Sequence, residues 1–161
     1  MNRKLPVIAI TLLLSCTARA EEYITREQIE QVIAATDAAA LQRDAAAVGV
    51  YLAEDFERII EFAHKYWMAK VKLAKYDYLM MIDEGWAGIA DYDYRRDDIE
   101  IHIMPDGLSG RSFSTLTEHM IIDGIEMTSR FREHATYAME DGRPVIIEVN
   151  GHTLLGDTTP Q

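Results

Sequence analysis

Three Asp-Gly pairs, Asp106-Gly107, Asp123-Gly124 and Asp141-Gly142, recur 17 and 18 residues apart in the C-terminal half of the chain. Aspartate and glycine tolerate the positive φ of two-residue turns, so each pair predicts a β-hairpin. The spacing leaves strands of up to ~15 residues, well beyond the usual five or six. Strands that long twist and curl. Four of them in an antiparallel meander, preceded by three helices, predict an α+β fold in which a curled sheet wraps a helix.

If each Asp-Gly forms the centre of its turn, register follows: 105 faces 108, 122 faces 125 and 140 faces 143, and opposed residues share a face. One face then collects Ile99, Ile101, Ile103, Leu116, Met120, Ile122, Met127, Phe131, Ala135, Tyr137 and Met139. The other collects Tyr92, Tyr94, Arg96, Asp98, Glu100 and His102, with Thr115, Thr117, His119, Thr128, Arg130 and His134. A single β-bulge would flip everything beyond it. On the apolar face this register sets Arg95, Glu118 and Ser129 in one cross-strand row, with Glu133 further along. An inward carboxylate must be paired, protonated or bathed in a water-filled pocket. Two readings stand: an Arg95–Glu118 ion pair bonded to Ser129 that satisfies itself, or the polar end of a ligand cavity between sheet and helices. Glu118 and Glu133 are too far apart for a close acid pair, ~13 Å along the strand.

The N-terminal half supplies the helices. Thr25-Arg26-Glu27-Gln28 is a capping box opening a helix to about Arg43, with Ile29, Val32, Ile33, Thr36 and Ala40 on one face. Asp44 caps a short second helix through Leu52. Glu57–Phe62 and Trp67–Lys72 read as a short hairpin around His64-Lys65-Tyr66 or as parts of one helix, the hairpin being preferred, and a helix over 75–88 completes the order.

Met1–Lys4 is basic, Leu5–Leu14 apolar, and Ala18-Arg19-Ala20 has the small-x-small form of a signal-peptidase site. The expectation is a signal peptide over 1–20, cut between Ala20 and Glu21, a single domain over 21–151 and a loose tail over 152–161. The rival is a lipobox around Leu13-Leu14-Ser15-Cys16, which would anchor a lipoprotein at Cys16. Either route takes the chain out of the cytoplasm, and the short leader suits a bacterial periplasm. Cys16 is the only cysteine, so a chain cut after Ala20 has neither disulfides nor thiol chemistry. The leader holds three basic residues and no acidic one, so the formal charge moves from −11 to −14 on cleavage. That surface repels nucleic acid and anionic lipid. The five histidines form no metal spacing, and neither a phosphate loop nor a nucleophile elbow is present. No metal or cofactor is expected.

Arg43-Asp44-Ala45-Ala46-Ala47-Val48 through Leu52-Ala53-Glu54-Asp55-Phe56, then Asp93-Tyr94-Arg95, Pro105-Asp106-Gly107, Ser114 to Glu118 and Glu140-Asp141-Gly142-Arg143, resemble the nuclear transport factor 2-like superfamily in its SnoaL-like, polyketide-cyclase-like branch. The resemblance covers essentially all of 24–151. It implies a cone-shaped, cystatin-like α+β fold, a pocket in its mouth and a homodimer through the outer sheet face. Catalytic sets known in the family do not transfer. The helix-one tyrosine of ketosteroid isomerases falls near Thr36 and one aspartate near Ile60, while His102, His119 and His134 lie on the outer face, away from a dehydratase arrangement. The leading expectation is a non-catalytic module that binds a small apolar or amphipathic molecule, or a protein partner. The alternatives are an isomerase, dehydratase or cyclase with Glu118 or Glu133 as base and Arg95 as charge stabiliser, and a pure interaction, inhibitor or immunity protein.

Overall fold

The computed structural model describes residues 23–64 and 67–154. The proposed leader, Cys16 and the Ala20–Glu21 junction lie outside the described residues. The elements are α1 (Arg26–Leu41), α2 (Ala45–Gly49), β1 (Leu52–His64), β2 (Trp67–Ala74), α3 (Lys75–Ala87), β3 (Ile89–Ile103), β4 (Ser109–Ile122), β5 (Ile125–Glu140) and β6 (Arg143–Leu154). Three helices and six strands match the expected α+β class.

Local signals set the helix starts. Thr25 Oγ1 accepts from the Gln28 amide at 3.2 Å, and Gln28 Oε1 accepts from the Thr25 amide at 2.8 Å. Asp44 Oδ1 accepts from the Ala47 amide at 2.9 Å, but α2 stops at Gly49 and Leu52 belongs to β1. Ile29, Val32 and Ile33 of α1 are buried in one cluster with Phe56, Tyr137, Val145 and Val149 from the sheet. Burying each such side chain is worth about 1.5–3 kcal/mol, which holds the helix against the sheet.

The sheet runs β2-β1-β6-β5-β4-β3 and is open at both ends. It is mixed rather than wholly antiparallel, because β6 returns alongside β1 in parallel. Two of the three turns are as the sequence predicts: Asp123 and Gly124 have φ of 51° and 77°, Asp141 and Gly142 of 49° and 76°. At Asp106-Gly107 only Gly107 has positive φ, 69°, and the loop is wider, with the Met104 amide donating to the Ser109 carbonyl at 2.9 Å. The register survives, since Ile103 still faces Gly110. β6 continues through Leu154, so 152–154 are not part of a loose tail; all three pair with β1, and His152 and Thr153 pair with β5 as well. Residues 155–161 lie outside the described residues.

One irregularity alters the reading of a face. Between Asp97 and Glu100 the β3–β4 register slips by one, and Asp98 sits at φ 55°. Beyond this bulge Tyr94 faces Glu118, Arg96 faces Leu116 and Arg95 faces Thr117. Tyr92, Tyr94 and Arg96 therefore point inward, and Arg95 points out.

Candidate functional site

Between the inner face of the sheet and helices α1 and α3 lies a cavity of about 230 Å³. α3 has no fully buried residue, and it contributes Tyr78, Met81, Ile82 and Trp86 to the lining. Leu116 and Phe131 supply apolar wall from the sheet, and Thr36 and Asp37 come from α1.

The polar side of the cavity is a chain of ion pairs. Glu133 accepts from Arg58 Nη1 at Oε2 and from Arg96 Nη1 at Oε1, each at 2.8 Å. Arg96 also bridges Asp37, its Nε lying 3.1 Å from both carboxylate oxygens, and donates to Ser114 Oγ and the Tyr94 hydroxyl at 2.7 Å each. The Tyr94 hydroxyl in turn donates to Asp37 Oδ1 at 3.0 Å. Three elements are tied together: Asp37 on α1, Arg96 on β3 and Glu133 on β5. Burial pushes the Glu133 carboxyl upward, but Arg96 and Arg58 outweigh it and hold the group below the usual carboxylate range. Arg96 stays charged, because Glu133 and Asp37 overcome the desolvation that would lower its pKa.

Arg58 is less fully committed. Its guanidinium lies over the Tyr78 ring, 5.8 Å from the centroid, and its Nε is buried with no hydrogen-bond partner among the described residues. Gly151 of β6 makes room for it: a Cβ there would lie 2.6 Å from Arg58 Nη2.

Glu118 stands apart from the chain of ion pairs. Its Oε1 accepts from the Tyr92 hydroxyl at 2.9 Å, and it has no salt bridge among the described residues. Burial pushes its carboxyl above the usual range, and the nearby Glu133 charge adds to this, against the opposing Tyr92 hydrogen bond and Arg58 charge. The Tyr92 hydroxyl has its own pKa raised by burial and by Glu118, and its ring lies 6.3 Å from that of Trp86.

Of the residues singled out from the sequence, Glu118 and Glu133 line the cavity. Ser129 faces Glu118 across the β4–β5 ladder but does not line the cavity. Arg95 is misplaced by the sequence reading: its side chain is 70% exposed and pairs with Asp97 at 2.8 Å on the outer side. The cause is the bulge at Asp98, which shifts the phase of β3 by one residue. The same slip hid Tyr92, Tyr94 and Arg96, assigned above to the outer face. An Asp-Asp pair within a strand pattern was the available signal, since aspartate tolerates the left-handed region. Arg58 and Asp37 carried no comparable sign, because ion pairs joining β1 to β5 and α1 to β3 are visible only after folding.

No family model and no curated protein sequence matches the chain. Solved structures do match in shape. A candidate scytalone dehydratase from Novosphingobium aromaticivorans superposes with TM-score 0.67 at 12% identity, covering 84% of this chain and 86% of that one. The hexachlorocyclohexane dehydrochlorinase LinA-type3 from Novosphingobium barchaimii LL02 gives 0.67 at 12% identity, covering 84% and 89%. A nuclear transport factor 2-like protein with a cystatin-like fold from N. aromaticivorans gives 0.64 at 18% identity, covering 81% and 82%. The chain has the nuclear transport factor 2-like fold, as its resemblance implied, and proteins sharing that fold include enzymes. At these identities the likeness carries the fold alone.

Proposed function

We propose that this protein binds a small amphipathic molecule in the cavity, its apolar body against Met81, Ile82, Leu116 and Phe131 and its polar end toward Glu118 and Arg58. The single observation that carries this reading is the uneven commitment of the polar groups. Asp37, Arg96 and Glu133 satisfy one another, whereas Glu118 lacks a cation and Arg58 Nε lacks an acceptor. A buried polar atom without a partner, as at Arg58 Nε, is rare in folded proteins, and a ligand that met it and supplied Glu118 with more than its one Tyr92 hydroxyl would account for both. The test is native mass spectrometry of the protein purified from the cells that make it. A co-purifying small molecule that is absent from a Met81→Trp variant supports the reading. A bare chain in both, with a protein partner retained instead, favours the pure interaction protein.

A second reading is favoured by one group. Glu118 is the cavity carboxyl with a raised pKa and no ion pair, which suits proton transfer in an isomerase, dehydratase or cyclase. Glu133 does not suit that role, since two guanidiniums hold its charge in place. Turnover of a co-purified molecule, read as deuterium uptake from solvent and lost in Glu118→Gln, would promote the protein from binder to enzyme. We further propose export from the cytoplasm through the 1–20 leader.

A further inference from the structure

The charges lining the cavity do not balance. Arg58 and Arg96 supply two cations, and Asp37, Glu118 and Glu133 supply three carboxyls. Direct ion pairs account for Asp37 and Glu133, leaving Glu118 with the Tyr92 hydroxyl on Oε1 and no direct ion pair among the described residues. The groups around this carboxyl are chiefly aromatic. Tyr92 and Tyr94 come from β3, with ring centroids 6.5 Å apart, and Trp86 of α3 lies 6.3 Å from Tyr92. Tyr78 of α3 and Phe131 of β5 complete the wall. Aromatic faces carry a negative quadrupole and attract cations, the more so where water is excluded. The charged groups that reach Glu118 are Arg58 from β1 and Glu133 from β5, and these are bonded to each other.

We infer that the cavity selects a small monocationic amine, its ammonium against Glu118 and the rings of Trp86 and Tyr92, its hydrocarbon body against Leu116 and Phe131. This rests on the reading that the cavity is a ligand site. An added anion would meet three carboxyls, and its natural partners, the two guanidiniums, already hold carboxylates, with only Arg58 Nε left without an acceptor among the described residues. A neutral ligand would leave the lone carboxylate bare or force it to stay protonated, whereas an ammonium supplies the missing charge. A chain with a formal charge of −11 also concentrates cations around itself. Size narrows the class further. A 150 Å³ cavity accommodates benzene, so about 230 Å³ suits a molecule of roughly nine non-hydrogen atoms, such as an arylalkylamine. Because burial raises the free Glu118 carboxyl, amine binding should expel its proton and strengthen as pH rises above the ordinary carboxylate range.

Calorimetric titration of the full chain with 2-phenylethylamine, 2-phenylethanol and phenylacetate tests this. The amine should bind about tenfold or more tightly than the alcohol, the order expected of one charge contact in a partly dry site, with phenylacetate weakest. In Glu118→Gln the advantage of the amine should vanish while the affinity for the alcohol stays. Met81→Trp, which fills the cavity from α3, should weaken all three. If the alcohol binds, is lost in Met81→Trp and matches the amine in the wild type, the cavity reading stands and the amine inference fails. A preference for the amine that survives Glu118→Gln overturns it too. If none of the three binds the wild type, both readings fall together.

Discussion

Glu133 and Glu118 are inward carboxyls on neighbouring strands, yet their surroundings set them in opposite states. Glu133 lies between two guanidiniums and is held charged; Glu118 has a phenol and aromatic rings and is pushed toward neutrality. Glu133→Gln leaves two buried guanidiniums short of a counter-charge and should cost about 3–5 kcal/mol, read by chemical denaturation. Arg95→Ala, at an exposed outer position, should move stability by no more than ~0.5 kcal/mol; a large loss there would mean that the bulge is wrongly placed. The pH dependence separates the two carboxyls further. Glu133, with a depressed pKa, stabilises the fold above the ordinary carboxylate value, and that contribution is lost as pH falls through its folded pKa. Glu118, with a raised pKa, keeps its proton in the folded chain where the unfolded chain has lost it. Its contribution is therefore full below its unfolded value and declines as pH rises from about 4.5 through the folded pKa. Thermal melts from pH 4 to 8 should show Glu118→Gln gaining on the wild type as pH rises. An unchanged difference across that range would place Glu118 in solvent.

The bulge in β3 decides which side chains enter the cavity. Local chemistry was readable: Thr25–Gln28 and Asp44 start helices, Asp123-Gly124 and Asp141-Gly142 turn hairpins, and the β1–β2 hairpin pairs Glu57 with Ala74. The alternation of β4 and β5 correctly set Glu118 and Glu133 inward, because no slip interrupts the β4–β5 ladder. What could not be read was non-local. The parallel β1–β6 pairing joins segments about ninety residues apart, and the position of a bulge depends on how the sheet must bend to cover α1. With Asp98 at φ 55°, Asp98→Gly should be tolerated within ~0.5 kcal/mol and Asp98→Val should cost about 1–2 kcal/mol. Deleting Ile99 should return Arg96 to the outer face and remove its bonds to Asp37 and Glu133; loss of a cooperative melt is the expected result. A deletion variant as stable as the wild type would contradict the assigned phase.

At the scale of the whole molecule, an open curled sheet carries two helices over its inner face and leaves one cavity end with unanswered polar groups. The protein is proposed to be exported, so the intact mass of the exported form should begin at Glu21; a diacylated species beginning at Cys16 would make it an anchored lipoprotein instead. Self-association through the outer face is proposed through Thr115, Thr117, His119, Thr128 and Arg130, with Tyr94 removed from that face by the bulge. Sedimentation at micromolar concentration should show a dimer, and a monomer throughout would exclude it. The central claim is occupancy of the cavity, and methionine methyl groups report on it. Met81 lines the cavity, while Met68, 80% exposed on β2, does not. In a titration of methyl-labelled protein with 2-phenylethanol, a neutral probe of the cavity alone, the Met81 resonance should shift saturably while Met68 stays still. A Met81 signal that does not move, or shifts no larger than those at Met68, would contradict the account.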